Sequence, residues 1–300
     1  MGTQGDEAAT RGLAAAVGAY ALWGVLPLYF RAVGAVPPLE IVAHRIAWSV
    51  LLLLAILYFR KRLGGLVEVF SSRRLLLPLV ASACLIAVNW LVYIWAVQNG
   101  HVIAASLGYF LNPMLNVLLG FAFLRERLTR VQWVAVAFAG VGVVVLAAGA
   151  LSTLWISLAL AASFGLYGLI RKIVPTGPMV GLSAETIILL PAALAGLVWW
   201  SSTGALTFGA SASLQTDLLL AASGAVTALP LLLFAFAAQR LTLATMGLVQ
   251  YIGPSIQLLL GLLLFREPLT TAHLIAFPLI WTGLAIYSWS AWRTFSAVAR

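Results

Sequence analysis

The sequence predicts an all-α polytopic membrane protein: ten transmembrane helices arranged as two inverted-topology repeats of five. Three observations carry this. The chain is 63% hydrophobic and only 8% charged, with a mean hydropathy of +1.07, whereas a soluble domain carries about 25% charged residues. One stretch of 26 residues occurs twice. The basic residues fall between apolar runs, mostly on one side of the implied membrane.

The duplicated stretch runs from Ala104 to Thr129 (AASLGYFLNPMLNVLLGFAFLRERLT) and again from Thr245 to Thr270 (TMGLVQYIGPSIQLLLGLLLFREPLT). The copies register without gaps at an offset of 141. Pro113 falls on Pro254, Gly120 on Gly261, Arg125-Glu126 on Arg266-Glu267, and Leu128-Thr129 on Leu269-Thr270. Ala96 and Gln98 extend the register to Ala237 and Gln239. A further echo, Leu22-Trp23-Gly24 against Leu166-Tyr167-Gly168, lies at 144 and makes Tyr167 the partner of Trp23. Each proline removes one backbone hydrogen bond. Pro113 frees the carbonyl of Tyr109, and Pro254 that of Gln250. Interrupted helices at matching positions of two repeats point to a transporter's binding site.

Crossing ~30 Å of hydrocarbon takes about 20 helical residues, and ten such spans use nearly the whole chain. The first, 11–33, puts Tyr20, Trp23 and Pro27 on one face, and Pro27 frees the Trp23 carbonyl. The second, 39–60, starts after Pro37-Pro38. Its Glu40 and His44 are one turn apart and can touch, and Arg45 lies inside the apolar run, where a charge is costly without a partner. The third, 73–98, carries Asn89, Trp90 and Tyr93. It also holds the single cysteine, Cys84, which has no disulfide partner and is read as packing.

The fourth span, 101–125, repeats Gly108, Asn112, Asn116 and Gly120 along one slowly drifting face. The fifth is 130–149. The sixth, 152–173, holds Tyr167 and ends before Pro175 and Pro178. The seventh, 180–201, holds Glu185, at the mirror position of Glu40 with an offset of 145. A polar loop, Ser201–Asp217, follows. The eighth, 214–239, has Pro230 where the third has Asn89. The ninth, 241–265, presents Val249, Gly253, Gln257 and Gly261 at the positions of the fourth span's small and amide residues. The tenth is 270–292. His101 and His273 lie near helix ends and are read as surface residues.

With the N-terminus in the cytoplasm, fourteen of the 17 basic residues fall inside. Arg31 and Arg266 fall outside, and Arg45 lies within a span. Five spans per repeat then force the second copy into the membrane upside down. The N-terminal tail, with Asp6 and Glu7 before Arg11, lacks the basic region of a signal peptide. The net charge of +9 flanks apolar runs rather than forming a patch with interleaved aromatics, which argues against nucleic acid.

The candidate substrate contacts are Trp23, Asn89, Trp90, Tyr93, Tyr109, Asn112, Asn116, Tyr167, Gln250, Tyr251 and Gln257. The candidate hinges are Pro27, Pro113 and Pro254. Glu40, His44, Arg45 and Glu185 are candidate coupling or buried-charge residues. For the amides the alternative is glue between closely packed helices. For the aromatics it is interface anchoring, which suits mid-span positions such as Trp23 poorly. For the acids it is structural pairing, with Arg45 or with the basic loops. No P-loop, HExxH, GxSxG or TVGYG pattern occurs, and no catalytic, metal or cofactor set is expected.

The LWG of the first span, HRIAWS of the second, NW of the third and SLGYFLNPMLNVLLG…ERL of the fourth resemble a RarD-type member of the EamA family, within the drug/metabolite transporter superfamily. QYIGPSIQLLLG…REPL resembles that family's second half. The resemblance implies a tail at 1–11 and EamA-like repeats at 12–148 and 155–290. It also implies a bacterial inner-membrane location, while the span count and the basic-residue bias put both termini in the cytoplasm. The implied activity is secondary transport of small metabolites or drugs through a central cavity among spans 1, 3, 4, 6, 8 and 9. The expected partners are a small-molecule substrate, the lipid bilayer and protons as a candidate coupling ion, in a monomer or weak homo-oligomer. The rival classes are a membrane-embedded enzyme on a lipid-soluble substrate and a structural membrane subunit.

Overall fold

A computed structural model describes residues 2–125, 128–209, 213–238, 240–241, 245–246 and 249–298. The described residues form eleven helices and no strand: α1 (Gly2–Ala32), α2 (Pro38–Phe59), α3 (Gly64–Ser71), α4 (Arg73–Gln98), α5 (Val102–Leu124), α6 (Arg130–Gly149), α7 (Leu151–Ile173), α8 (Pro178–Ser202), α9 (Leu214–Ala238), α10 (Ile252–Leu263) and α11 (Thr271–Val298). Nine are long and apolar enough to cross a membrane, and α10 is a shorter apolar helix.

Local chemistry sets the helix ends. α2 and α8 open on Pro38 and Pro178, where a missing N–H costs nothing. Thr129 and Gln132 close a capping box at the start of α6: Thr129 Oγ1 accepts from the Gln132 amide at 3.3 Å, and Gln132 Oε1 from the Thr129 amide at 2.9 Å. The same device recurs 141 residues later at the start of α11. There Thr270 Oγ1 accepts from the His273 amide at 3.4 Å and His273 Nδ1 from the Thr270 amide at 3.3 Å. His273 is therefore a buried capping residue, not the surface residue its position suggested.

Helix neighbours pair across the chain. α5 packs on α7 and α10, α1 on α9 and α10, α4 on α7, α2 on α8 and α9, and α6 on α11. Small residues bring the backbones close, as membrane packing favours. A Cβ at Gly142 would meet Ile280 and Ala276; one at Gly283 would meet Ala135, Phe138 and Ala139. These contacts exchange at an offset of 141. Gly24 against Ile256 and Gly165 against Leu115 exchange at the same offset. Packing thus sets Gly24 opposite Gly165, and Trp23 corresponds to Phe164. The sequence echo that paired Trp23 with Tyr167 is one helical turn out of register, because two aromatic-glycine pairs lie three residues apart on α7. The residues Phe110 and Tyr251, 141 apart, stack on each other with centroids 6.3 Å apart and rings tilted by 17°.

Four expectations change. The loop after α2 contains α3, which buries Leu66 and Val69 and leaves Val67 and Phe70 exposed, as an amphipathic surface helix does. In the ninth span Thr245, Met246 and Val249 are helical, Gln250 and Tyr251 form a turn, and helix α10 follows over Ile252–Leu263 with Pro254 in its first turn. The matching Pro113 sits inside an unbroken α5. Cys84 is exposed on the outer face of α4 rather than packed inside. Glu126, Arg127 and Gln239 lie outside the described residues.

Candidate functional site

Arg45 is buried at 4% exposure in the middle of the bundle. α2 carries it toward α1, α4 and α9. Its Nε donates to Thr227 Oγ1 at 3.1 Å. Its guanidinium carbon lies 4.5 Å from the Trp90 ring centre and 5.4 Å from that of Phe30. Tyr93 packs against Phe30 and Tyr109, with centroids 5.8 and 5.6 Å away. The Tyr93 hydroxyl is buried without a hydrogen-bond partner.

Neither candidate acid pairs with Arg45, which corrects that expectation. Glu40 accepts from the Thr207 amide (2.9 Å), the Thr207 hydroxyl (2.9 Å) and the Phe208 amide (3.1 Å). It fixes the loop after α8. His44 Nε2 stands 3.9 Å from Glu40 and makes no hydrogen bond, while its ring packs on Phe208. Glu185 accepts from Ser82 Oγ at 2.6 Å and the Tyr167 hydroxyl at 3.3 Å, and its oxygen lies 3.7 Å from Arg171 Nε. It ties α4, α7 and α8 together. Arg171 in turn donates to Thr176 Oγ1 at 2.9 Å.

Asn89 is fully engaged. Its amide nitrogen donates to the Leu160 carbonyl at 3.1 Å and to Ser163 Oγ at 3.0 Å, and its oxygen accepts from the Tyr109 hydroxyl at 3.2 Å. It joins α4 to α5 and α7. Gln257 donates to the Trp23 carbonyl at 3.1 Å, the group that Pro27 leaves without its helical donor, so one unusual residue compensates another. Trp23 packs with Tyr20 and Phe234, centroids 5.3 and 5.9 Å away.

Asn112 is buried, and its side-chain oxygen has no partner. Asn116, one turn further, is exposed. A Cβ at Gly168 on the facing α7 would meet nothing within 4 Å, and neighbouring Phe164 is exposed. Tyr251 lies elsewhere: with Phe110, Ser255, Trp281, Leu284, Ala285 and Ser288 it lines an apolar cleft of about 340 Å³ among α5, α10 and α11. The candidate residues therefore fall into an Arg45–aromatic cluster, an amide face on α5 and a separate cleft. Among the described residues no three His, Cys, Asp or Glu side chains gather to hold a metal ion.

The EamA-like transporter family model matches residues 10–148. An uncharacterized transporter of Vibrio cholerae is 43% identical over 286 residues, covering 95% of this chain and 94% of the relative. Protein RarD of Streptomyces exfoliatus is 43% identical, covering 94% and 90%. The chain is a RarD-type member of the EamA-like transporter family. Protein RarD of Escherichia coli is 39% identical, covering 94% of this chain and 95% of the relative. A crystal structure at 20% identity matches with a TM-score of 0.59, covering 92% of this chain and 96% of that one; this likeness speaks to the fold.

Two features of this EamA-like chain escaped the sequence. Glu267 caps α5: its carboxylate accepts from the Val102 amide at 2.6 Å and the Ile103 amide at 2.8 Å. Thr227 and Phe30 complete the Arg45 cluster. No local pattern marks either, since the partners are 165 and 182 residues apart. The repeated Arg-Glu pair was the one available signal for Glu267.

Proposed function

We propose that this protein is a secondary active transporter. It moves small amphipathic organic molecules across a bacterial inner membrane by alternating access between two inverted five-helix repeats, without catalysing a reaction. Membership of a transporter family and the multi-pass apolar architecture are the groundwork. The observation that carries the mechanism is Asn116. α5 is the most enclosed of the nine long apolar helices, yet Asn116 is exposed, about 12 Å in from the Leu124 end at 1.5 Å per residue. A polar side chain at that depth belongs to a water-filled cavity, not to lipid. On this reading Asn112, Phe164 and the open space beside Gly168 belong to the same cavity.

The contact pairs that exchange at 141 support the two-repeat reading. They include the α6–α11 glycines and the paired caps at Thr129 and Thr270. So does the left-handed backbone shared by Arg125 (φ 56°) and Arg266 (φ 53°). Three long-range side-chain ties lie at the end that basic-residue bias places outside, while the Glu185 group joins α4, α7 and α8 in the other half. At the outer end Gln98 donates to the Val36 carbonyl, Glu267 caps α5 and Glu40 holds residues 207–208. This supports a state closed outward, with Pro27, Pro113 and Pro254 as the hinges of exchange.

Reporter fusions after Arg62 and Lys172 are expected to read cytoplasmic and one in the Ser201–Asp217 loop to read outside; a cytoplasmic reading from that loop removes the inverted repeat. Proteoliposomes assayed with a panel of labelled metabolites test the transport itself, and accumulation of no compound under any ion gradient overturns it. Two asparagines separate cavity from glue. Asn112→Ala is expected to cut transport at least several-fold with little loss of stability, since water replaces a cavity-facing amide. Asn89→Ala strands buried partners and is expected to cost about 1–2 kcal/mol in denaturant unfolding. Intact transport and lowered stability in Asn112→Ala would make that residue glue too.

A further inference from the structure

One cation in the middle of the bundle has no counter-charge among the described residues. Arg45 forms no ion pair with any described acid. The Glu40 oxygens are taken by Thr207 and Phe208, and those of Glu185 by Ser82, Tyr167 and Arg171. Of the five guanidinium N–H groups, only the Nε one has a hydrogen-bond partner, Thr227. The two Nη nitrogens donate to no described residue. A charge out of water costs several kcal/mol, and cation–π contacts with Trp90 and Phe30 return about 0.5–2 kcal/mol each. Packing offsets only part of that cost, and the unpartnered end of the fork keeps slight exposure, which leaves it open to an anion.

The geometry of the cluster narrows the anion. Thr227 fixes Nε, which sets the direction of the fork. The free Nη pair matches the two oxygens of a carboxylate. Arg45 is the single basic group in the cluster besides the neighbouring His44, whose ring is turned onto Phe208 beside Glu40. One fixed positive charge balances one negative charge, which disfavours a phosphate dianion. The surrounding groups are rings: Phe30, Trp90, Tyr93 and Tyr109. The buried, unpartnered Tyr93 hydroxyl offers one further donor. Trp90 and Tyr109 are only half-buried and give the cluster its side toward the α5–α7 space.

We infer that Arg45 receives the acidic end of the transported molecule, and that the substrate class is a small organic monoanion: one carboxylate on an aromatic or apolar body. This rests on the transport reading above and names its cargo. Carboxylate and guanidinium neutralise each other, so the loaded site changes access as a neutral unit.

Indole-3-acetate and its neutral isostere indole-3-acetamide are suitable probes. Binding is read by thermal shift and by equilibrium dialysis of labelled probe against the purified full chain, and transport by labelled probe in proteoliposomes. The wild type is expected to bind the carboxylate at least tenfold more tightly than the amide. Arg45→Lys keeps the charge but loses the fork, and is expected to weaken the carboxylate at least tenfold. Arg45→Met should abolish the preference for carboxylate over amide. If Arg45→Met does not fold, Arg45→Lys and Thr227→Val carry the same comparison, the latter with a smaller loss. Equal binding of the two probes by the wild type, or an unchanged preference in Arg45→Lys, overturns the inference. Transport of panel compounds with no carboxylate preference overturns it while leaving the transport reading intact. Arg45-dependent carboxylate binding without movement of any probe upholds the site and overturns the transport reading.

Discussion

Gly283→Ala is expected to destabilise the protein by about 1–3 kcal/mol, the range for forcing extra volume into a packed contact. The added Cβ would sit 2.6 Å from the Ala135 carbonyl oxygen and 3.4 Å from the Ala139 nitrogen. Those are backbone atoms of α6 and cannot rotate away, so α6 and α11 must separate. The counterpart Gly142→Ala meets the Ile280 side chain at 2.9 Å and its nearest backbone atom, the Ala276 carbonyl oxygen, only at 3.2 Å, and should cost less. Denaturant unfolding of both variants in detergent checks the order. Equal losses would mean that the α6–α11 seam relaxes as freely against backbone as against a side chain.

The second large effect is expected at Glu267. Its carboxylate accepts two amide hydrogens at the open N-terminus of α5, from Val102 and Ile103. Those amides have no helical acceptor, and a negative charge there also meets the positive end of the helix dipole. Glu267→Ala is therefore expected to cost about 2 kcal/mol, and Glu267→Gln about half that, since the amide still accepts but carries no charge. The tie joins the segment after α10 to the start of α5. Its loss should also loosen the end we place outside. A cysteine introduced at Ala104, in a Cys84→Ser background, should then label faster from that side. A stability loss with unchanged labelling would make Glu267 a cap and not part of a closure.

The repeat was legible because duplication leaves identities at fixed spacing. Arg-Glu, Leu-Thr and the two prolines gave 141 directly, and packing and capping follow that number. The LWG and LYG echo misled because a helix can offer an aromatic-glycine pair on successive turns. Phe164-Gly165 and Tyr167-Gly168 both qualify, and only contact with Leu115 separates them. Prolines predicted the freed Trp23 carbonyl, but not that Gln257, 234 residues away, would fill it.

By itself the sequence determined that the chain is helical, lies in a membrane and carries one stretch twice at an offset of 141, and that a charge sits inside its second span. These follow from composition, helix length and the cost of moving polar groups into hydrocarbon, all properties of contiguous residues. The tertiary structure decided which buried groups satisfy one another. It sent Glu40 to a loop, Glu185 to Arg171, Ser82 and Tyr167, and Asn89 to α5 and α7. It left Arg45 among rings with no described acid beside it. Hydrogen bonds and ion pairs act only within about 3–4 Å, and no local pattern in the chain records which side chains from distant helices will come that close.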